Sequence, residues 1–562
     1  TLKVSGGADM SNASREVYEP KETYRGYNAN GIAEQQSRRS SSYSNENVLT
    51  YIKKIGQHSL NVMVGSSLLY EENKTGSMTA RDFISDVYGY NNLDAGAQWD
   101  KPNTGRSKST LLSGFGRINY VLMDKYLFTV TGRADGSSKF GTNNKWAFFP
   151  SFAAAWRINQ EKFMKNIDWI SNLKIRGSWG VTGNQNIPAY SSPEKMNTYT
   201  YPIGGVTSVG IGAGNMPNPD LKWETTAITD IGIDLGVFNN RINFTADYYY
   251  KKTTDLLWNI SVPLTTGFGT VLKNIGSLQN KGLELSLSAD VLTGPFKWNT
   301  MLNWSTNKNK VLEIPGYIPT QQGTISGHLK VNGSWLEPGL PVGVWNLLKT
   351  NGVMRTEKEW QDAARVADSN FDKIGDMSFV DKNGDGKISF GEDRQIVGDP
   401  NPDFIFGWTN NFSYKNFDLS VYINGSVGND IYNVLRAETN IVSAWGNQRA
   451  EVKDRWTVNN PNGKYPRAHV LVNQNLLQSD YLIEDGSFLR IQNVTLGYTF
   501  PKVSFLRSLR IYATAQNLLT ITGYSGYNPE VNSQGQSNLQ LGVDYNAYPT
   551  ARSFILGVNI GF

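Results

Sequence analysis

Apolar and polar residues alternate along much of this chain, and the alternation is clearest in the final segment, "ARSFILGVNIGF". Its apolar positions of one parity are Phe554, Leu556, Val558, Ile560 and Phe562. Because successive side chains of a strand point to opposite faces, this spacing predicts a strand with one apolar face and one small or polar face. A last strand that ends on an aromatic residue is typical of a closed barrel whose outer face meets lipid; a soluble β-protein is the alternative.

The same alternation recurs upstream and predicts about 16 antiparallel strands. Across 224–250, for example, a continuous apolar face lies opposite a face that carries Asp230, Asp234 and Asp247. In a wide barrel such a polar face lines an aqueous lumen, and the aromatic residues that crowd the strand ends form girdles at the membrane interfaces. The pattern therefore predicts an all-β fold, a transmembrane antiparallel up-and-down β-barrel. The three carboxylates, spread singly over the wall, are more typical of solvated groups than of an acid/base pair.

Short and long connections alternate between the predicted strands. Two of the short ones are Met123-Asp124-Lys125 and Lys415-Asn416. The alternation breaks over 312–401 and again over 430–485, and we expect both stretches to be long extracellular loops. This asymmetry is characteristic of outer-membrane barrels, whose periplasmic turns are short.

Composition supports an all-β envelope protein and excludes several other classes. The chain has 55 Gly, 28 Tyr, 24 Phe and 15 Trp among 562 residues, and no Cys. The net charge of +5 comes without a long basic run, which argues against nucleic-acid binding. The histidines, His58, His328 and His469, are too widely separated in sequence to indicate a histidine metal site or a Ser-His-Asp triad. With no nucleophile elbow, phosphate loop or metallohydrolase signature, we expect no enzyme and no catalytic residues.

The first residues, "TLKVSGGADM", show neither the charged n-region nor the apolar h-region of a signal peptide. No apolar run approaches the roughly 18 residues of a membrane helix, which a β-barrel does not need. We therefore expect this chain to be part of a longer protein.

The sharpest motif is "DKNGDGKISFGE", residues 381–392, which fits the twelve-residue calcium loop. The predicted oxygen ligands are Asp381, Asn383, Asp385, Lys387 through its carbonyl, Ser389 directly or through water, and Glu392. Ca²⁺ bound there would be structural. The alternative is a metal-free turn, since "NGDG" also suits a β-hairpin. The stretch 356–371 could supply a helix before the loop, whereas Pro400 and Pro402 limit any helix after it.

Other motifs leave binding and packing roles open. Trp345, Trp360 and Trp445 in the long loops could stack on sugar rings or peptide side chains, pack the loops, or contact a lid protein. The stretches "NQNIPAY" and "NPDLKWETT" could contact substrate, but their composition favours turns. No substrate-binding residue is assigned from the sequence.

Several phrases, in order, resemble the SusC/RagA family of TonB-dependent outer-membrane transporters of Bacteroidetes. They are "DKYLFTVTGRADGSSKFG", "WGVTGNQNIPAY", "NPDLKWETT", "NIGSLQNKGLELSL", "DKNGDGKISFGEDRQIVGDPNPDF", "DRWTVNNPNGKYPRA", "DGSFLRIQNVTLGYTFP" and "LGVNIGF". The resemblance implies that residues 1–562 are the C-terminal part of a 22-stranded barrel plugged by a separate domain. The N-terminal plug, the TonB box and the first strands are expected to lie outside this chain. An open barrel edge in lipid would leave backbone groups unpaired, so the remaining strands must come from elsewhere.

The resemblance further implies a function in the outer membrane of a Gram-negative cell. The expected activity is TonB-dependent import of oligosaccharides or oligopeptides, together with a SusD-like surface lipoprotein that acts as a lid. The other expected partners are the TonB complex, reached through the missing N-terminal part, and lipid or lipopolysaccharide. A self-contained 16-stranded diffusion porin remains the alternative. An extracellular glycan-binding β-protein or glycosidase fits the lipid-like outer faces less well.

Overall fold

The computed structural model describes residues 1–315, 320–325, 331–441, 447–501, 506–533, 535 and 539–562. Trp445 and His328 lie outside these ranges. The helices are short: α1 (Tyr24–Ala29), α2 (Glu357–Asp362), α3 (Val434–Asn440) and α4 (Gln474–Leu477). No helix in the described ranges is long and apolar enough to cross a membrane.

Strands make up most of the described chain. Those of the first half are β1 (Leu2–Glu19), β2 (Ile32–Ile55), β3 (His58–Phe83), β4 (Gly96–Trp99), β5 (Asn103–Leu122), β6 (Tyr126–Ser137), β7 (Trp146–Arg157), β8 (Ile170–Asn184), β9 (Met196–Ile203), β10 (Val206–Ala213), β11 (Glu224–Val237), β12 (Ile242–Thr254), β13 (Leu257–Ser261), β14 (Thr270–Asn274), β15 (Ser277–Thr293) and β16 (Phe296–Glu313). Those of the second half are β17 (Thr320–Ile325), β18 (Val331–Leu336), β19 (Trp345–Leu347), β20 (Thr350–Val353), β21 (Arg365–Val366), β22 (Met377–Phe379), β23 (Lys387–Ile388), β24 (Gln395–Gly398), β25 (Phe404–Tyr414), β26 (Phe417–Val427), β27 (Asp430–Asn433), β28 (Ile483–Asp485), β29 (Phe488–Phe500), β30 (Ser508–Thr522), β31 (Val543–Asp544) and β32 (Ser553–Gly561).

The chain divides into two units. Unit 1 comprises Thr1–Arg157, Arg176–Thr229 and Thr253–Gly276, and unit 2 comprises Ile158–Ile175, Asp230–Lys252 and Ser277–Phe562. Among the described residues, 17 strands take part in the antiparallel wall. The sequence predicts about 16. The short strand β4, which pairs with the end of β3, lacks the alternation that marks a wall strand.

In unit 1, strands β1, β2, β3, β5, β6 and β7 pair antiparallel in this order. Strands β2 and β3 have 24 and 26 residues, more than twice the roughly 9–11 residues that a tilted strand needs to cross a bilayer. These strands therefore continue well beyond the hydrocarbon layer. The turn between β5 and β6 is at 123–125, as predicted, and Met123 and Asp124 adopt positive φ there.

In unit 2, strands β15, β16, β25, β26, β29, β30 and β32 pair antiparallel in this order. The predicted turn at Lys415-Asn416 joins β25 to β26. On the last strand the side chains of Phe554 and Leu556 are 74% and 84% exposed. Exposed apolar side chains on a wall strand suit contact with lipid, as the alternation predicts.

Above the wall of unit 2, the long connections fold into one packed layer, which we call the loop body (331–403, 430–487 and 524–545, within the described ranges). Its buried core consists of Trp345, Leu347, Leu348, Val353, Val366, Met377, Phe379, Ile388, Tyr432, Val434, Ala437, Ile441, Leu476, Leu477, Leu482 and Val543. Short strand pairs β19–β24, β20–β22 and β21–β23, and the trio β28–β27–β31, satisfy its backbone groups. The loop body is thus a structured element with its own core.

Candidate functional site

A cavity of about 820 Å³ lies in unit 2, between the wall and the loop body. Wall strands β12, β15, β16, β25 and β26 supply one side of it, and the loop segments 400–402, 529–532 and 541–542 supply the other. Cavities of several hundred cubic ångströms with a few placed polar groups are typical of sites for small ligands. This cavity is the candidate functional site.

The antiparallel register of four wall strands places polar side chains side by side at the cavity. One cross-strand row runs Ser286, Asn303, Gly407 and Asn424. Residues directly opposite in an antiparallel pair share a face, so the Asn303 and Asn424 amides lie on the same side of the sheet. Gly407 leaves room between them, since a Cβ atom there would lie 3.2 Å from the Tyr422 hydroxyl.

On the loop side, Arg490 holds the segment 528–530 against the wall. The Arg490 side chain is buried and donates hydrogen bonds to Thr520 Oγ1 at 2.9 Å and to Asn528 Oδ1 at 2.7 Å. It also pairs with the carboxylate of Glu530, a residue that lines the cavity. Its guanidinium lies 5.3 Å from the centre of the Phe488 ring. One buried cation therefore fixes the position of this edge of the cavity.

The cavity favours neutral or cationic ligands over anions. Its described lining includes Asp247, Glu284 and Glu530 but no Lys, Arg or His. Within the described part of the chain, the side-chain oxygens of Asn424 and Asn532 are buried without a hydrogen-bond donor. A buried acceptor without a donor costs about 1–3 kcal/mol, so a ligand or water that donates hydrogen bonds there would be stabilising.

One further carboxylate, that of Asp430, shapes the loop side of the cavity. Asp430 Oδ2 accepts a hydrogen bond from the backbone N–H of Asp399 at 2.9 Å, and the Asp430 N–H donates to the Asp399 carbonyl. This reciprocal pair fixes the turn that presents Pro400 and Pro402 to the cavity. Burial raises the pKa of the Asp430 carboxyl above its ordinary value. The hydrogen bond from the Asp399 N–H opposes this rise, whereas the negative charges of Asp485 and Asp399 add to it. Nearby in the loop body, burial raises the pKa of the Tyr481 hydroxyl to about 12.

The predicted calcium loop lies in the loop body and is folded by its own side chains. Asp381 accepts hydrogen bonds from the backbone N–H groups of Gly384 at 2.7 Å and Gly386 at 2.8 Å. Asn383 accepts from the N–H of Asp385 at 3.1 Å, and Asp385 accepts from that of Lys387 at 2.8 Å. The loop therefore wraps around its carboxylates in a fixed conformation.

The C-terminal end of the loop approaches its start. Glu392 Oε2 lies 3.5 Å from Asn383 Nδ2 and 3.3 Å from Ser389 Oγ. Across the described residues, however, no group of three or more His, Cys, Asp or Glu side chains is gathered closely enough to hold a metal ion. Calcium binding by residues 381–392 therefore stays a prediction.

The structure bears on two possibilities that the sequence leaves open around this loop. The segment is not a β-hairpin, because β22 pairs with β20 whereas β23 pairs in parallel with β21. The stretch 356–371, which could supply a helix before the loop, forms only α2, six residues long. The capping box at Thr356 starts this helix, and it ends before the extended strand β21. A flanking helix pair of the EF-hand type is therefore lacking among the described residues.

Other motifs from the sequence prove to be packing elements. Trp345 is fully buried in the loop body, and Trp360 donates its indole N–H to the carbonyl of Asp372 at 3.0 Å. In unit 1, Ile187 of "NQNIPAY" and Leu221 and Trp223 of "NPDLKWETT" are buried in one cluster. These residues pack the loop ends, and all of them except the half-buried Trp360 are buried.

Sequence reasoning missed most of the residues that build the cavity, as well as Asp393. The buried Asp393 carboxylate accepts hydrogen bonds from the N–H groups of Lys382 and Ser389, and so closes the predicted calcium loop.

The role of Arg490 could have been suspected from the sequence, because this arginine is the one cation within the alternating strand segment "SFLRIQNVTLGY". Of the three lumen carboxylates noted in the sequence, Asp247 lines the cavity and Asp234 pairs with Lys174 at 2.7 Å.

Lipid-facing antiparallel strands, a polar inner face and a structured loop layer define this chain as part of an outer-membrane β-barrel. The family model "TonB dependent receptor-like, beta-barrel" matches residues 7–389. The chain belongs to this family, whose members are outer-membrane receptors and transporters. The predicted fold class and location in the outer membrane are confirmed.

Individual relatives extend the likeness over the whole chain. TonB-dependent receptor P3 of Formosa agariphila is 35% identical over 572 residues, which cover 100% of this chain and 56% of the relative. TonB-dependent receptor SusC of Bacteroides thetaiotaomicron is 33% identical over 546 residues, covering 91% of this chain and 49% of the relative. A solved structure of the RagAB peptide transporter shares the fold, with a TM-score of 0.84, 24% identity and coverage of 100% of this chain and 60% of the matched chain. The chain spans about half the length of the curated relatives it matches.

Proposed function

We propose that this chain forms most of the barrel wall and the lid-docking loops of a SusC-like importer. The importer takes up oligosaccharides or oligopeptides together with a SusD-like surface lipoprotein, and catalyses no reaction. Energy reaches it from the TonB complex through an N-terminal plug, and the remaining strands complete the barrel. Likeness to SusC and to the RagAB peptide transporter supports this assignment.

The observation that carries the proposal is the cavity between wall and loop body. Its amides and carboxylates match the repeated hydroxyl or amide groups of a sugar chain or a peptide, which offer many hydrogen-bond donors. Because the described lining of the cavity contains acidic but no basic residues, binding of acidic polymers is disfavoured. The loop body, packed around its own core, offers a stable surface on which a lipoprotein lid could close.

Removing the two cavity amides tests the proposal. In the complete receptor, the double variant Asn303→Ala/Asn424→Ala is expected to lower substrate uptake at low concentration about tenfold. Two lost hydrogen bonds, at about 0.5–1.5 kcal/mol each, account for this size of effect. The substrate is first found by growth on single oligosaccharides or oligopeptides, and uptake of that compound is then measured in cells.

The matched control is Asn299→Ala, which removes an amide four residues from Asn303 on the same face of β16 but outside the cavity lining. Uptake by the control should stay unchanged. Equal losses in both variants would contradict a substrate site in this cavity. Uptake that continues without TonB and without the lipoprotein would instead support the diffusion-porin alternative.

We further propose that residues 381–392 bind Ca²⁺ as a structural ion. The hydrogen-bonded wrap around Asp381 and the approach of Glu392 to Asn383 support this. Asn383, the Lys387 carbonyl and Ser389 would supply further oxygen ligands, which are the kind that Ca²⁺ prefers. A bound ion would lock the loop that pairs with β21 at Ile388.

Calcium should therefore stabilise the loop body. At a free concentration ten times the dissociation constant, the expected gain is about 1.4 kcal/mol. Hydrogen exchange of peptides from 365–400, with Ca²⁺ or with a chelator, measures it in the complete receptor. The variant Glu392→Gln, which removes the carboxylate at the bidentate position, should lose the effect, whereas Asp362→Asn, an exposed aspartate outside the loop, should keep it. Equal exchange with and without Ca²⁺ in the unmodified protein would rule out this role.

A further inference from the structure

Unit 1 carries four basic side chains on its outer face, just beyond its apolar band. Arg39, Lys74 and Arg106 lie directly opposite one another on the neighbouring strands β2, β3 and β5. Lys108 lies on the same face of β5, one cross-strand row nearer the band. We call these four residues the basic row. Arg39, Lys74 and Arg106 are exposed, and Lys108 is half-buried.

The register shows that this face of the wall meets lipid. On the same parity and nearer the short turns lie Val64, Leu68 and Ile118, which are 58%, 43% and 47% exposed. Tyr120, opposite Leu60 on β3, marks one edge of this apolar band, and the directly opposed pair Tyr43 and Tyr70 marks the other. The two edges are ten residues apart along β3. At about 3.4 Å per residue and a tilt of about 40°, this is about 26 Å, close to the height expected of a barrel's apolar band.

The basic row lies on the extracellular side of that band. At one end of these strands the turns are short, at 56–57 and 123–125, and at the other end the connections 20–31 and 84–102 are long. Barrels of this class have short periplasmic turns and longer extracellular loops. The cations therefore sit at the level of the lipid headgroups of the outer leaflet, two cross-strand rows beyond the Tyr43–Tyr70 pair.

The charges of the basic row are only partly balanced by protein. Glu72, which lies directly opposite Lys108, contacts Arg106 Nε at 2.5 Å and Lys74 Nζ at 3.6 Å. Arg39 Nε donates to the neutral amide of Asn12 at 2.9 Å. Like charges directly opposite on adjacent strands are destabilising, so three aligned cations call for an external anion. Arginine and lysine in such a cluster suit phosphate.

We propose that the basic row binds the phosphate groups of outer-leaflet lipid, lipopolysaccharide in a Gram-negative membrane. The apolar band immediately below it accommodates the acyl chains of the same molecule. This site goes beyond the import function and needs only the outer-membrane location. A layer of lipid fixed there would stabilise the long strands where they leave the hydrocarbon.

The test uses the complete receptor, extracted in mild detergent from its own outer membrane. Lipopolysaccharide that remains bound is quantified by native mass spectrometry and by lipid A analysis. The variant Arg39→Gln/Lys74→Gln/Arg106→Gln/Lys108→Gln should retain at least fivefold less, and should lose the rise in melting temperature that added lipopolysaccharide gives. The control Lys53→Gln/Lys54→Gln removes exposed lysines at the opposite end of β2 and should change neither value.

Two added ligands separate the possible sources of phosphate. Lipopolysaccharide stripped of its phosphates should bind at least fivefold more weakly, and inorganic phosphate alone should not reproduce the stabilisation. Equal binding of the stripped lipid, equal stabilisation by inorganic phosphate, or unchanged retention by the variant would each overturn the proposal. If the fourfold variant fails to insert, Arg106→Gln/Lys108→Gln is measured by the same readouts and should lose part of the retention.

Discussion

Replacement of Trp345 by alanine is expected to destabilise the loop body by about 3–5 kcal/mol while the barrel wall stays folded. The Trp345 ring is fully buried at the centre of the largest core cluster, with its centre 6.0 Å from that of Tyr432. Its removal leaves a cavity that this layer of short strands cannot close. Hydrogen exchange should increase in peptides from 345–400 and 430–485, whereas heat-modifiable migration of the barrel on gels should not change.

The indole N–H of Trp345 makes a graded control possible. This buried N–H has no hydrogen-bond acceptor in the described part of the chain, so Trp345→Phe removes volume but no hydrogen bond. The cost of Trp345→Phe should therefore be about 1 kcal/mol. Trp169→Ala, which truncates a ring that is 54% exposed, should leave exchange of the loop body unaffected. If the loop body of Trp345→Ala is as well protected from hydrogen exchange as that of the unmodified protein, the buried core around Trp345 does not stabilise the loop body.

The strands of the wall could be predicted from the sequence because their alternating pattern depends only on residues that are neighbours in the chain. In the terminal strand, the parity of Phe554 and Leu556 alone identifies the exposed apolar face, and both residues are exposed in the structure. The turns at 123–125 and 415–416 can likewise be predicted, because each interrupts the alternation between two strands that pair antiparallel. A period of two residues carries this information without any knowledge of distant contacts.

The loop body and the cavity could not be predicted in the same way. The buried position of Trp345 depends on Tyr432 and Gly542, which lie far away in the sequence, so composition left its role open. The cavity depends on register: Asn303 and Asn424 share a row only because β16, β25 and β26 pair as they do. The motif at 381–392 can be recognised in the sequence because all its predicted ligands lie within twelve residues. For the same reason, it gives no information about the cavity, whose lining residues come from distant parts of the chain.

Arg490→Met is expected to weaken substrate binding by about 2 kcal/mol, roughly thirtyfold, without unfolding the barrel. Methionine keeps the aliphatic packing beside Phe488 but removes the donors to Thr520, Asn528 and Glu530. Breaking a fully buried ion pair costs about 3–5 kcal/mol, and the smaller figure applies because the Glu530 side chain is 41% exposed and can be hydrated. Once released, the segment 528–530 no longer forms an edge of the cavity. Substrate binding to the purified complete receptor, measured by calorimetry, gives the loss.

A double-mutant cycle separates this cause from general damage to β29. If Arg490 acts by holding Glu530, then Glu530→Gln alone should weaken binding by about 1.5 kcal/mol, and Arg490→Met/Glu530→Gln should bind substrate no more weakly than Arg490→Met alone. The coupling energy then equals the cost of the Glu530→Gln single variant. Arg510→Met breaks a more exposed arginine–carboxylate pair, with Asp418, on β30 and β26 away from the cavity, and should leave binding unchanged. Additive losses in the cycle, or an equal loss in Arg510→Met, would contradict the role of Arg490 as the anchor of this edge. Arg490 would then stabilise the pairing of wall strands β29 and β30 rather than the cavity edge. Contacts within the loop body would have to fix the position of the segment 528–530.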